Sequence, residues 1–161
     1  MPEAQVDRFL LKARVDYPTP GEERQIFDRM LSGEVPAVAR VLKAEAVHQL
    51  TRRVREIYID ERLRDYMVAL VTATRRPEDI GLVEFAPLIA CGASPRATLS
   101  FSEASRAVAF LRGRGYVVPE DVKEIAKDVL RHRILLTYEA EAENVTTDMV
   151  VDQILERVEV P

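Results

Sequence analysis

Helix starts recur along this chain, and they restrict it to a helical body. Thr19-Pro20-Gly21-Glu22 has the form of a capping box with proline at the first helical position. The helix it opens gathers Ile26, Phe27, Met30 and Leu31 on a face to be buried, and Ser32-Gly33 ends it. A second helix, from about Ala44 to Ile57, aligns Val47, Leu50, Val54 and Ile57. Asp60 caps a third, carrying Leu63, Tyr66, Met67, Leu70 and Val71 and stopping before Pro77. Ser94-Pro95 opens a fourth, with Leu99, Phe101, Ala104, Val108 and Leu111 inward, ending near Gly113. Pro119 begins a fifth through Val122, Ile125, Ala126, Val129 and Leu130; Thr146 caps a last one with Val150, Val151, Ile154, Leu155 and Val158. The spacing predicts an all-α bundle of about six helices, without internal repeats.

The first segment breaks this pattern. Phe9 to Val15 is short, apolar-rich and closed by Asp16-Tyr17-Pro18, which reads as a strand. It has no sister strand of similar strength, and a lone strand is not stable. It is therefore expected to be the edge of a domain lying mostly outside the chain, docked on the helical body or on a neighbouring molecule rather than dangling. Pro77 to Ala93, with Gly81, Pro87 and Gly92, reads as a long irregular connection, a length often tied to function.

Composition excludes several classes. At 161 residues, 47% hydrophobic and 31% charged, the chain can bury a real core. Its net charge of −4 argues against a general nucleic-acid binder or a membrane-surface protein. Cys91 is the sole cysteine, so no internal disulfide forms, as suits a reducing compartment. No apolar run is long enough to span a bilayer and no signal-peptide pattern opens the chain; a cytoplasmic location is expected. His48 and His132 lie on separate helices, which leaves no metal site. His132, between Arg131 and Arg133 near a helix C-terminus, reads as complementing the helix dipole. Arg52, Arg53 and Arg55 read as a solvated face, and Cys91 as a small buried or half-buried loop residue.

Chemistry concentrates at Gly92-Ala93-Ser94-Pro95-Arg96. With Ser94 as N-cap and Pro95 at the first helical position, Arg96 falls in the first turn, where a cation opposes the helix dipole. A guanidinium beside free backbone N–H groups makes sense when an anion sits between them, and phosphate is the usual one. Arg8 is the second candidate: an arginine before the strand, oriented by a neighbouring acid, could serve as a phosphate finger. The plain alternatives are an exposed arginine at position 96 and a surface ion pair of Arg8 with Asp7 or Glu3.

Pro2-Glu3-Ala4-Gln5-Val6-Asp7-Arg8-Phe9 followed by Gly-Ala-Ser-Pro-Arg at a helix start resembles the MoxR family of AAA+ ATPases. The similarity continues through Tyr58-Ile59-Asp60, Leu63-Arg64-Asp65-Tyr66, Leu70 to Arg75, Gly113 to Val117, Pro119 to Lys123, His132-Arg133 and Val160-Pro161, covering nearly the whole chain. The resemblance implies residues 1–17 as the end of an ATPase core and residues 18–161 as its helical lid. It further implies Arg8 as an arginine finger reaching the neighbouring subunit's ATP, and Arg96, with Ser94 and Pro95, as the sensor 2 element. The implied partners are the AAA+ core, neighbours in a ring hexamer, and client proteins, often with von Willebrand factor A domains. The implied cofactors of the whole protein are ATP and Mg²⁺.

No Gly-x-x-x-x-Gly-Lys-Ser/Thr loop and no Asp-Glu pair after an apolar run occur here, and the family's sensor 1 residue would precede Met1. Met1 before Pro2 reads as a start placed inside a longer frame. The isolated chain is thus expected to hold no nucleotide tightly and to hydrolyse none. The alternatives are a free-standing helical interaction module without nucleotide chemistry and, less in keeping with the charge, a helical DNA-binding domain.

Overall fold

The computed structural model describes residues 3–33 and 35–161. Met1 and Pro2, where the N-terminal motif begins, lie outside the described residues. The helices are α1 (Glu3–Val6), α2 (Pro20–Ser32), α3 (Ala44–Arg55), α4 (Glu61–Ala73), α5 (Arg96–Leu111), α6 (Pro119–Leu130), α7 (Tyr138–Ala142) and α8 (Thr147–Arg157). Two short strands, β1 (Ile89–Cys91) and β2 (Leu135–Leu136), pair antiparallel, with Ile89 opposite Leu136 and Cys91 opposite Leu135. The fold is helical as expected, with all six foreseen helices present; α1 and α7 are too short for their periodicity to show in sequence.

Local chemistry sets these boundaries. Thr19 and Glu22 form the reciprocal box: the Glu22 amide donates to Thr19 Oγ1 at 3.4 Å and the Thr19 amide to Glu22 Oε2 at 2.8 Å. Asp60 accepts from the Arg62 amide at 3.0 Å, and Thr146 from the Met149 amide at 3.2 Å. Asp121 reaches back to the Val118 amide at 3.0 Å to start α6.

The core lies where α4, α5, α6 and α8 meet. Met67, Leu70, Phe101, Val122, Leu130, Val150 and Ile154 are fully buried there. α5 turns Ala97, Ser100, Ala104 and Ser105 inward, and these small side chains let its neighbours pack close to its backbone. That selection differs from the sequence expectation at both ends of α5. Leu99 lies on the opposite face from Phe101, and Leu111 in the last turn is exposed.

Two further expectations are corrected. Phe9 to Val15 is not a strand: Phe9 and Leu10 lie in a bend and the rest is irregular chain without a ladder, the carbonyls of Phe9, Leu10 and Lys12 meeting helix-end side chains instead of another strand. Of the two docking places left open, it takes the helical body, through Phe9, Leu10 and Lys12. On α2, Ile26, Phe27, Met30 and Leu31 remain exposed, as do Val47 and Leu50 on α3. Amphipathicity and a good cap suffice to form a helix, but burying its apolar face needs a surface opposite.

A buried carboxylate closes one end of the bundle. Asp121, fully buried, accepts from Arg114 Nη1 at 2.8 Å and from Arg112 Nη1 at 3.2 Å. Burial pushes its pKa up, but hydrogen bonds from Arg114 and Val118 and the charges of both arginines outweigh this, leaving it below the usual value. The contribution is therefore complete above the unfolded carboxylate pKa of about 3.9 and is lost as pH falls through the lower folded value. Asp121→Ala should cost about 2–3 kcal/mol in urea unfolding at neutral pH, less than for a pair buried at both ends because both arginines reach solvent. An unchanged midpoint would contradict this role.

Candidate functional site

Pro77 to Ala93, expected as an irregular connection, is instead largely ordered as two 3-10 turns, Pro77–Ile80 and Val83–Leu88, followed by β1, and it delivers the Ser94-Pro95-Arg96 head of α5 to a fixed place. Thr74, buried at the end of α4, donates through Oγ1 to the Val71 carbonyl at 2.7 Å and accepts from the Ala93 amide at 2.9 Å. Gly92 lies so close that a Cβ there would fall 2.4 Å from the Thr74 carbonyl oxygen, so only glycine permits this approach. Regular helix begins at Arg96, yet Ser94 acts as the cap. Its Oγ accepts from the Arg96 amide at 3.2 Å, and its carbonyl accepts from the Ala97 amide at 2.9 Å. Arg96 thus stands in the first turn, its side chain 55% exposed.

Asp7 joins the N-terminal segment to this helix head. Its carboxylate accepts from Ser94 Oγ at 2.9 and 3.1 Å, from Arg133 Nε at 3.1 Å, and from Arg96 Nη1 at 3.5 Å. Beneath it Arg133, its side chain only 1% exposed, also donates to the carbonyls of Asp7 at 3.1 Å and Leu10 at 3.3 Å, to that of Phe9, and to Ser100 Oγ at 2.9 Å. His132 Nε2 lies 3.1 Å from the Phe9 carbonyl. Arg131 donates to the Lys12 carbonyl at 2.8 Å while held by Asp128 and Asp148, and the Lys12 amide donates to the Asp128 carbonyl at 2.8 Å. The basic triplet after α6 is therefore a clamp on residues 7–12. Dipole complementation is only part of its role, seen where Arg133 also bonds the Val129 carbonyl.

Arg8, next to this anchor, is exposed, and its guanidinium makes no ion pair among the described side chains. The pair with Asp7 open at the sequence level does not form, because Asp7 faces Ser94 and Arg133. Asp7, Ser94, Gly92, His132 and Arg133 line a cleft of about 230 Å³. Cys91 at its rim is exposed, contrary to the buried or half-buried placement expected from sequence. The sequence reading missed Arg133 and Asp7 as a pair. The usable signal was a basic triplet where one cation would satisfy a helix end.

What this site can do follows from its donors. Around Arg96 it offers a guanidinium and first-turn N–H groups, which suit anionic oxygens. Among the described residues, no cluster of three His, Cys, Asp or Glu gathers as cation ligands. No described helix is long and apolar enough to cross a membrane.

Residues 85–154 match the family model of the AAA lid domain, so this part of the helical body is a lid of the AAA+ class. The whole chain aligns with the chaperone MoxR1 of Mycobacterium tuberculosis at 43% identity, covering 42% of that protein. Protein MoxR of Paracoccus denitrificans is 33% identical over 85% of this chain and 44% of its own length. A solved structure of a candidate ATPase from Cytophaga hutchinsonii superposes with a TM-score of 0.95 at 38% identity, covering 100% of this chain and 49% of the other. The chain belongs to the MoxR family of AAA+ proteins, and it spans about half the length of the relatives it matches.

Burial also leaves a pH signature. It lowers the His132 pKa against the opposing hydrogen bond to Phe9, and Nδ1 is buried without a partner among the described residues. As pH falls through the unfolded value of about 6.5, the unfolded chain takes up this proton first, so stability declines toward the lower folded value. Urea midpoints should drop between pH 7 and 5, and His132→Gln should flatten that slope. An identical slope in the variant would remove His132 as its source.

Proposed function

We propose that this chain is the nucleotide-facing lid of a MoxR-type AAA+ ATPase, with residues 1–17 closing the core and residues 18–161 forming the lid. Arg96 binds ATP phosphate within its own subunit as the sensor 2 residue, supported by the N–H groups that Ser94 and Pro95 position. Arg8 extends as the arginine finger to the γ-phosphate held by the neighbouring subunit. The observation that carries this reading is the Asp7 anchor: one carboxylate fixes the segment bearing Arg8, exposed and without an ion pair among the described side chains, to the helix head bearing a half-exposed Arg96.

Bound ATP with Mg²⁺ supplies the phosphoryl group to be transferred. The residues of this chain bring positive charge to its oxygens, a task suited to planar, permanently charged guanidinium groups. On this reading lid closure carries Arg96 toward the phosphates, so nucleotide occupancy and lid position become one equilibrium. The exposed apolar faces of α2 and α3 supply surface for the core and for neighbours in a ring hexamer. The relative from M. tuberculosis is named a chaperone, and on that ground we extend a chaperone-like action on client proteins to this one; von Willebrand factor A domain proteins as clients are what the family resemblance adds. A cytoplasmic setting follows from the same reading. The same exposed faces would also serve a helical interaction module, but that alternative gives Arg8 and Arg96 no task.

In the full-length protein, Arg96→Ala should lower ATP hydrolysis about tenfold or more, the scale for losing one charge-stabilising contact. Arg8→Ala subunits and subunits disabled in phosphate binding should each be inactive alone and regain activity when mixed. Wild-type turnover in Arg96→Ala, or no recovery on mixing, would remove the respective role.

A further inference from the structure

We propose that Asp7 occupies the place of phosphate on Arg96, so that ATP must displace an internal carboxylate to engage this arginine. The inference rests on the lid reading above and adds a competitor to it. The two cations on Asp7 are unequal. Arg133 is almost fully buried, contacts Asp7 at 3.1 Å and is further fixed by the Asp7 and Leu10 carbonyls and Ser100. Arg96 is 55% exposed, meets the same carboxylate at 3.5 Å and has no other side-chain partner among the described residues. Losing Arg96 leaves Asp7 still neutralised by Arg133 and still hydrogen-bonded to Ser94, so the exchange exposes no unpaired buried charge. An exposed pair of this length is weak enough for a polyphosphate to break and strong enough to hold the side chain near the helix head meanwhile.

Asp7 is on this account a positioning residue acting through Arg96. It keeps the guanidinium aligned along the α5 N-terminus, where an anion would be received, and sets the threshold for that reception. The segment stays docked through the exchange, because Arg131, His132 and Arg133 hold its carbonyls independently of the Asp7 side chain.

The test is a double-mutant cycle on Asp7 and Arg96 in the full-length protein, with Mg-ATP as the probe and Kd as the readout. Asp7→Asn should tighten ATP about two- to fivefold, the range one exposed ion pair supports, and should have no effect once Arg96 is alanine. Equal effects in both backgrounds, or weaker binding in Asp7→Asn alone, would mean a structural role only and overturn the proposal. If Arg96→Ala leaves Kd unchanged, the sensor reading itself fails, and this proposal with it. A second measurement needs no variant. On adding Mg-ATP, the Nε–H resonance of Arg96 should move while that of Arg133 stays in place; joint movement, or movement of Arg133 alone, would overturn the exchange.

Discussion

The buried guanidinium of Arg133 is the contact on which the functional end of this molecule depends. A cation nearly excluded from water is tolerated only when its donors are paired and its charge is met. Here the acceptors come from three places: the C-terminal turn of α6 at Val129, α5 at Ser100, and the N-terminal segment at Asp7, Phe9 and Leu10. Burial pushes the Arg133 pKa down and the Asp7 carboxylate opposes that shift, so the ion pair compensates this interior charge. Satisfying one side chain thereby fastens residues remote in sequence into one site, and it brings Arg8 and Arg96 under a common anchor.

The bundle beneath supplies rigidity rather than chemistry. Small residues along α5 let α4 and α6 approach, and the fully buried Phe101, Leu70 and Val122 fill the space between. Thr74 and Gly92 carry that rigidity outward to the α5 head, through a contact too close for any side chain at position 92. Arg96 is thus placed by backbone geometry, while its half-exposed guanidinium meets Asp7 at 3.5 Å. On the proposed reading, a lid that responds to nucleotide combines a fixed base with a movable cation.

Most of the helical body was legible because its signals are local. Caps at Thr19, Asp60 and Thr146 and the apolar faces of α4, α6 and α8 need only neighbours within a few residues, and they were read correctly. Where a feature depends on a remote partner, local pattern was silent or misleading. Phe9 to Val15 has strand-like composition, yet its backbone is met by Arg131, His132 and Arg133, over a hundred positions away. The apolar face of α2 predicts burial but not against what. Ser94 and Arg96 stood out because helix-start chemistry is itself local, whereas Asp7 drew notice only as a possible partner for Arg8. Its attachment to Arg133 became visible only in three dimensions.

The most direct test of this account is amide hydrogen exchange at Lys12, whose N–H meets the Asp128 carbonyl at 2.8 Å. If the clamp holds the segment, this exposed residue exchanges slowly in the native protein and becomes fast in Arg133→Met, while core amides of α4 and α8 keep their protection. Fast exchange in the native protein, or equal protection in both, would contradict the claim that Arg133 organises the site.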